Sequence, residues 1–266
     1  MVWQRIAALL LSLIAGAAMV ATVVAEAPTI IPVAPVRSYE VVNEYPHDPA
    51  AFTQGLILVD GQLYEGTGLN GRSELRLVDL ETGAVLERRQ LDSEYFGEGV
   101  TVLGDSIYQI TWQTGVAFVY DRDSFEQTGS FTYDTEGWGL THDGTSLIMS
   151  DGSDQLYYRD PETFEVTKQI SVHDGDNPIS HLNELEYIDG VIWANVWQTN
   201  FIARIDPETG AVIDWLDLAA LTQDVVASGQ PVDVLNGIAW NPETETVYVT
   251  GKLWPTLFEI RLASES

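Results

Sequence analysis

The chain has 266 residues, with 40 acidic against 12 basic side chains, a formal net charge of −28 and no cysteine. The acid excess argues against nucleic-acid binding, which needs clustered Lys and Arg, and the missing cysteines exclude disulfides, thiol nucleophiles and cysteine metal sites. An apolar fraction of 45% with 10% aromatic residues excludes a disordered chain and predicts a folded unit with a substantial core.

The first 27 residues form a segment of their own. They contain Arg5, an apolar run over residues 6–25 and a terminal Ala-Glu-Ala pattern. This order is typical of an export signal, but about 20 apolar residues are also long enough to span a bilayer. We expect residues 1–27 to be a cleaved signal peptide or a retained membrane anchor, which places the rest of the protein in the periplasm or outside the cell. Residues 28–35 contain three prolines and are predicted to be an extended linker.

A short marker recurs five times in the remaining domain, residues 36–266, at spacings of 40 to 53 residues. The copies are Gln54-Gly55-Leu56, Glu98-Gly99-Val100, Trp138-Gly139-Leu140, Asn183-Glu184-Leu185 and Asn236-Gly237-Ile238. A second marker, an Asp-initiated turn between short alternating strands, begins at Asp79, Asp121, Asp160 and Asp206. Repeats of this length with about four strands each indicate a β-propeller. The sequence therefore predicts an all-β fold, a five-bladed β-propeller.

The fifth repeat is short, because only four residues follow the strand-like segment that ends at Leu262. A blade without its outer strand would leave an open sheet edge. The alternating segment Val36 to Tyr45 precedes the first repeat, and we predict that it supplies this strand, completes the last blade and closes the ring. A helix is predicted between Asp217 and Ser228, as an insertion.

The residues that open the five markers differ in type. They are Gln54, Glu98, Trp138, Asn183 and Asn236. Because each begins an innermost strand, we expect the five side chains to converge at one mouth of the central channel, as in a binding or catalytic site. An alternative is that some of them cap strand ends or bind water in the channel.

Three more residues occupy matching places after the second strand of their repeats. Trp112 and Trp197 are each followed by Gln-Thr, and Lys252 stands at the equivalent position of the fifth repeat. The two indoles suggest an aromatic pocket together with Trp138. Lys252 is one of only two lysines in the chain. Its position beside the predicted aromatic pocket is not easily explained by solvation at the surface.

An ordered set of motifs resembles the plant and bacterial type of glutaminyl-peptide cyclotransferase over about Tyr39 to Leu262. The motifs are Phe52-Thr53-Gln54-Gly55-Leu56, Phe96-Gly97-Glu98-Gly99, Ile110-Thr111-Trp112, Gly137-Trp138-Gly139-Leu140, Leu182-Asn183-Glu184-Leu185-Glu186, Asn195-Val196-Trp197, Leu235-Asn236-Gly237-Ile238-Ala239 and Thr250-Gly251-Lys252-Leu253-Trp254. The resemblance implies a five-bladed propeller that converts the N-terminal glutamine of peptides or proteins to pyroglutamate and releases ammonia.

The resemblance also implies roles for individual residues. Glu98 would be the proton shuttle, with Lys252 and Asn183 as further catalytic residues. Substrate binding would fall to six residues, Phe52, Gln54, Phe96, Trp112, Trp138 and Trp197. A carboxylate among such aromatic walls is expected to be desolvated and to have a raised pKa. The proposed chemistry requires no metal or other cofactor, although a structural calcium in the central channel stays open.

Two other functions remain open from the sequence. A non-catalytic extracytoplasmic propeller that binds peptides or polymers would tolerate replacement of Glu98 and Lys252. A propeller lactonase would need several metal-binding carboxylates in the ring, where Glu98 is the one acid among the opening marker residues. We expect a monomer whose partners are peptides with N-terminal glutamine, with membrane contact only through a retained N-terminal segment.

Overall fold

The structure is a computed structural model that describes residues 28–263. The predicted signal peptide or anchor lies outside these described residues. Five sheets surround a central axis, and their innermost strands contact one another in a closed ring. The predicted five-bladed β-propeller is confirmed. Within residues 28–263, no helix has the length and apolar character that a bilayer crossing requires.

Two strands precede the first blade, and twelve strands build the first three blades. The two leading strands are β1 (Val36–Arg37) and β2 (Tyr39–Pro46). The first blade consists of β3 (Thr53–Val59), β4 (Gln62–Thr67), β5 (Glu74–Val78) and β6 (Val85–Gln90). The second consists of β7 (Gly97–Leu103), β8 (Ser106–Thr111), β9 (Val116–Asp121) and β10 (Gln127–Thr132). The third consists of β11 (Leu140–His142), β12 (Leu147–Ser150), β13 (Gln155–Arg159) and β14 (Val166–Ser171).

A short hairpin and one helix interrupt the second half of the ring. The hairpin pairs β15 (His173–Asp174) with β16 (Asn177–Pro178). The fourth blade consists of β17 (Leu182–Ile188), β18 (Val191–Val196), β19 (Phe201–Ile205) and β20 (Val212–Asp217). The helix α1 (Ala219–Ala227) confirms the predicted insertion, and the fifth blade follows with β21 (Leu235–Asn241), β22 (Thr246–Gly251) and β23 (Thr256–Leu262).

The segment before the first blade closes the ring. Strand β2 pairs antiparallel with β23 and becomes the outer strand of the fifth blade, as predicted. The predicted strand is nevertheless divided between two blades, because β1 pairs in parallel with β20 at the edge of the fourth blade. The same short segment therefore ties the last two blades together.

Residues 28–35, expected to be a linker, are attached to the fourth blade at their C-terminal half. The carboxylate of Asp174 accepts hydrogen bonds from the backbone N–H of Val33 at 2.7 Å and of Ala34 at 2.8 Å. It also accepts the indole N–H of Trp215 at 2.9 Å. Asp174 therefore holds the chain in front of β1.

The core consists of apolar clusters between neighbouring blades. One cluster joins Leu56 and Leu63 of the first blade to Tyr248 and Leu257 of the fifth. Near the axis the backbones approach too closely for side chains, which explains the glycines of the repeated marker. A Cβ on Gly99 would lie 2.5 Å from the backbone nitrogen of Leu140, and a Cβ on Gly139 would overlap the carbonyl of Asn183.

Candidate active site

One mouth of the channel contains a cavity of about 350 Å³. All nine residues that the sequence predicted for the site line this cavity. They are Glu98, Lys252 and Asn183, together with Phe52, Gln54, Phe96, Trp112, Trp138 and Trp197. The fifth ring residue, Asn236, is fully buried behind them. The four other ring residues thus converge as expected.

Four of the ring residues lie in β-bulges. The pairing of β3 with β4 slips at Gln54, and the pairing of β7 with β8 slips between Gly97 and Val100, around Glu98. The pairings of β17 with β18 and of β21 with β22 slip in the same way around Asn183 and Asn236. A bulge places an extra residue in one strand and redirects its side chain. The polar ring is therefore built by a local irregularity repeated in four blades.

The residues after the second strands are held by backbone hydrogen bonds to neighbouring segments. The backbone N–H of Trp112 donates to the carbonyl of Phe96 at 3.0 Å, and that of Trp197 donates to the carbonyl of His181 at 2.8 Å. The backbone N–H of Lys252 donates to the carbonyl of Val234 at 2.9 Å. The equivalence that the sequence predicted for these three positions is confirmed.

Aromatic rings in edge-to-face contact form the walls of the cavity. The Phe96 ring lies between Phe52, with centroids 6.2 Å apart, and Trp112, with centroids 5.7 Å apart. On another side, Trp138 and Trp197 meet at 5.4 Å with an interplanar angle of 87°. These arrangements favour a rigid apolar enclosure, because the positive edge of one ring faces the negative face of the next.

Glu98 is 5% exposed and belongs to a directed hydrogen-bond chain. The Asn236 side chain donates from Nδ2 to the carbonyl of Thr53 at 3.0 Å and to Oε1 of Gln54 at 3.3 Å. Gln54 in turn donates from Nε2 to Oε1 of Glu98 at 3.1 Å. Burial raises the pKa of Glu98 well above its usual value, and the ammonium of Lys252 opposes the rise without cancelling it.

Lys252 is also 5% exposed, and its Nζ lies 5.0 Å from the centroid of the Phe52 ring. Burial lowers the pKa of Lys252, while the carboxylates of Glu98 and Asp233 act in the opposite direction. Among the described residues, the ammonium forms no salt bridge. The cavity therefore contains an acid and a base that burial drives toward their neutral forms.

Two amide oxygens at the cavity are buried without a hydrogen-bond partner among the described residues. They are Oδ1 of Asn183, a side chain 3% exposed, and Oε1 of Gln198. A buried acceptor without a donor costs free energy unless a ligand supplies the missing N–H or O–H. The cavity therefore offers acceptors to a ligand that carries N–H groups.

Comparisons with known proteins agree with these features. A family model described as Glutamine cyclotransferase matches residues 10–262. The chain belongs to the glutamine cyclotransferase family. The glutaminyl-peptide cyclotransferase of Arabidopsis thaliana is 45% identical over 234 residues, which are 87% of this chain and 73% of that relative. The crystal structure of Myxococcus xanthus glutaminyl cyclase matches with a TM-score of 0.82 at 37% identity, covering 87% of this chain and 100% of that chain.

Several residues of this glutamine cyclotransferase family member escaped the sequence analysis. Gln198, Asp233 and Val234 line the cavity beside the predicted residues. Glu136 accepts hydrogen bonds from Trp112 and Trp138, two wall residues. Their places in the sequence were the one available signal. Gln198 follows Trp197, and Asp233 and Val234 lie three and two residues before the last marker.

The central channel contains two more buried carboxylates, both on β17. Glu184 accepts the backbone N–H of Leu56 at 3.1 Å, and burial raises its pKa well above the usual value. Glu186 accepts the backbone N–H of Trp240 at 3.1 Å and the hydroxyl of Thr141 at 3.3 Å, and burial raises its pKa to about 8. No group of three or more His, Cys, Asp or Glu that could hold a metal ion occurs between residues 28 and 263.

Proposed function

We propose that the protein is a glutaminyl-peptide cyclotransferase, an aminoacyltransferase that converts the N-terminal glutamine of peptides or proteins into pyroglutamate. The observation that carries the proposal is Glu98, which forms no salt bridge within residues 28–263 and is buried in an aromatic cavity of a glutamine cyclotransferase family member. Burial raises the pKa of Glu98 well above the usual carboxyl value, which suits a group that takes up and returns a proton.

The reaction is an intramolecular acyl transfer. The substrate α-nitrogen attacks the side-chain amide carbon, so that a new C–N bond closes a five-membered ring and the carbonyl oxygen becomes negative. A proton passes from the attacking nitrogen to the Glu98 carboxylate and from there to the departing nitrogen. The original C–N bond then breaks, the carbonyl forms again and ammonia leaves. Because both reacting groups belong to one residue, holding that residue in a folded-back conformation is a large part of the catalysis.

The polar residues around Glu98 fit distinct roles in this scheme. Asn236 fixes the orientation of the Gln54 amide, so Gln54 presents its N–H to Glu98 and positions the carboxylate. Asn183 lines the cavity, and its Oδ1 atom, which has no donor among the described residues, would accept an N–H of the substrate glutamine. Lys252 supplies a positive charge for the oxygen that becomes negative during ring closure.

The aromatic side chains complete the proposed site. Phe52, Phe96, Trp112, Trp138 and Trp197 would surround the methylene groups of the glutamine and exclude water. The exclusion of water strengthens the interaction of Lys252 with the negative charge that develops on the carbonyl oxygen, and the proton transfers through Glu98 take place in the same dry enclosure. No step of the scheme requires a metal ion or another cofactor.

The test is a cyclisation assay with the purified protein. A peptide beginning with glutamine is incubated with the protein, and ammonia release and the matching mass loss are followed by a coupled assay and mass spectrometry. We expect turnover of this peptide and none of the same peptide with an acetylated N-terminus, because acetylation removes the nucleophile. Binding of the free peptide without turnover would contradict the proposal and favour a non-catalytic binding module.

A further inference from the structure

The cavity wall depends on a second carboxylate that lies behind it. Glu136 is half-buried in the connection between β10 and β11. Its Oε2 atom accepts the indole N–H of Trp112 at 2.8 Å and the indole N–H of Trp138 at 3.0 Å. Its Oε1 atom accepts Nε2 of Gln113 at 3.0 Å. Three N–H donors thus converge on one carboxylate.

These hydrogen bonds join walls that belong to different blades. Trp112 follows β8 in the second blade, whereas Trp138 precedes β11 in the third. Trp112 is 37% exposed, so packing surrounds its ring only in part. A partly exposed aromatic side chain keeps rotamer freedom unless a directional interaction removes it. The shared oxygen of Glu136 supplies that interaction for both indoles at once.

The orientation of these two indoles affects most of the cavity. Trp112 contacts the Phe96 ring, and Trp138 contacts the Trp197 ring, each in an edge-to-face arrangement. A rotation of either indole would therefore change its neighbour as well. Glu136 itself is absent from the cavity lining, so it acts on the site through the indoles and through its charge, which helps to raise the pKa of Glu98.

The charge of Glu136 agrees with a fixed acceptor. Although burial acts to raise the pKa of Glu136, the hydrogen bonds from Gln113, Trp138 and Trp112 outweigh it and hold the pKa below the usual value. The pKa of Glu98, which lines the cavity, is shifted in the opposite direction. The pKa values of the two carboxylates are therefore shifted apart. Glu98 is suited to change its protonation state, whereas Glu136 remains ionised.

We propose that Glu136 is a positioning residue of this active site, which fixes the indoles of Trp112 and Trp138 and so shapes the cavity around the folded-back glutamine. The identity of the ligand rests on the proposed function, but the effect of Glu136 on the two indoles does not. The matched variants are E136A, which removes the acceptor, and E136Q, whose amide oxygen can still accept both indole N–H groups. Asp134→Asn, which removes an exposed charge from the same connection, is the control.

The first measurement needs no substrate. The indole N–H resonances of the full chain are recorded by two-dimensional NMR, and W112F and W138F assign the two signals of interest. E136A is expected to shift both signals and to accelerate their hydrogen exchange, whereas E136Q and D134N preserve slow exchange. The indole of Trp215, which donates to Asp174, should stay unchanged in all variants. Unaltered Trp112 and Trp138 signals in E136A would overturn the proposal.

The second measurement separates binding from chemistry. We expect E136A to raise KM about 10-fold with a smaller change in kcat, because walls that hold the ground state and the transition state equally act on KM. E136Q should restore KM. In a W112F/W138F background, which lacks both indoles that donate to Glu136, E136A should have no further effect on KM. An equal E136A effect in both backgrounds would contradict the proposal. A wild-type protein without turnover would instead contradict the proposed function, and the NMR result would still decide the role of Glu136.

Discussion

The protein buries two sets of charged side chains that behave in opposite ways. At the channel mouth, Glu98 and Lys252 are each 5% exposed and form no salt bridge with each other. Between the first and fifth blades, Glu65, at 1% exposure, accepts Nε2 of His47 at 3.0 Å and lies 3.6 Å from the Arg76 guanidinium. The side chains of both sets are similarly buried, but only Glu65, His47 and Arg76 form ion pairs with one another.

The pKa shifts follow from this difference. At the mouth, burial raises the pKa of Glu98 and lowers that of Lys252, so both move toward neutral forms. In the paired set, burial opposes charge too, yet the partners prevail: the pKa of Glu65 is lowered, and that of His47 is raised. Both ring nitrogens of His47 face acceptors, Glu65 Oε1 and the carbonyl of Trp254 at 2.7 Å, which requires an imidazolium ring.

The buried charges of Glu65 and His47 stabilise the fold, whereas those of Glu98 and Lys252 belong to the candidate active site. In the paired set, the ions remain charged and hold the turn that carries Lys252 against the first blade, because Trp254 belongs to that turn. At the mouth, Glu98 forms no salt bridge with a described residue, and burial raises its pKa well above the usual carboxyl value. A buried carboxylate with a raised pKa indicates a functional role where it also lines a cavity, as Glu98 does, whereas Glu184 and Glu186 lie outside this cavity and accept backbone N–H groups.

The largest expected effect follows from replacing the unpaired acid. Glu98→Gln should lower kcat by about 10²- to 10⁴-fold, because a neutral amide cannot transfer the proton. The free energy of unfolding at neutral pH should not decrease, because the lost carboxylate was desolvated without an ionic partner. Steady-state kinetics and denaturant unfolding check both statements. An E98Q protein with wild-type kcat would contradict the proton-transfer role.

Glu65→Gln should lower the free energy of unfolding, in contrast to Glu98→Gln, which should lower kcat. The change leaves His47 and Arg76 buried without their carboxylate, and breaking a buried ion pair costs about 3 to 5 kcal/mol. Urea unfolding at constant pH measures the loss. As a matched control, E98Q should have a urea midpoint equal to or higher than that of the wild type. A Glu65→Gln protein of unchanged stability would contradict a stabilising role for the ion pairs of Glu65.

A smaller effect is expected from Glu186, a carboxyl group of the central channel, on the pH dependence of the free energy of unfolding. Its pKa is raised from 4.5 to about 8, so between these values the folded protein keeps a proton that the unfolded chain has lost. Stability therefore declines as pH rises, by about 1 kcal/mol per pH unit from this group. Glu186→Gln should flatten the decline in unfolding free energy between pH 5 and pH 7. Parallel slopes in wild type and E186Q would contradict a proton held by Glu186.

The smallest expected effect is that of metal removal on the rate. Because Glu98, Lys252 and Asn183 carry the proposed chemistry, prolonged treatment with a chelator should leave kcat and KM unchanged. The activity assay before and after dialysis against the chelator measures this. Loss of activity that returns with added calcium would show that the channel contributes a cation to the site.

The repeats of the sequence were sufficient to predict the architecture. Glycines such as Gly99 recur because the innermost strands leave no room for a Cβ, and this steric requirement is visible in the sequence. The convergence of Gln54, Glu98 and Asn183 was predictable as well, because equivalent positions of a propeller lie on one ring. The division of Val36 to Tyr45 between two blades was not, because alternation shows that a strand exists but not where it pairs.

The residues that support the site were beyond the sequence pattern. The repeat pattern gives Glu136 no role, because its partners Trp112 and Trp138 come from different blades. His47 and Glu65 meet across the junction of the fifth and first blades. The β-bulges that direct Glu98 into the cavity depend on cross-strand register, which has no local sequence signature. Such contacts arise from tertiary packing and have to be read from coordinates.

The most direct test of the contrast is a titration of two carboxyl groups in the substrate-free protein. Infrared difference spectra between wild type and E98Q isolate the carboxyl signal of Glu98, and those between wild type and Glu65→Gln isolate that of Glu65. The structure predicts that Glu98 retains a protonated carboxyl band at pH values well above 4.5, where Glu65 is already ionised. Ionisation of both groups over the same acidic pH range would contradict the account.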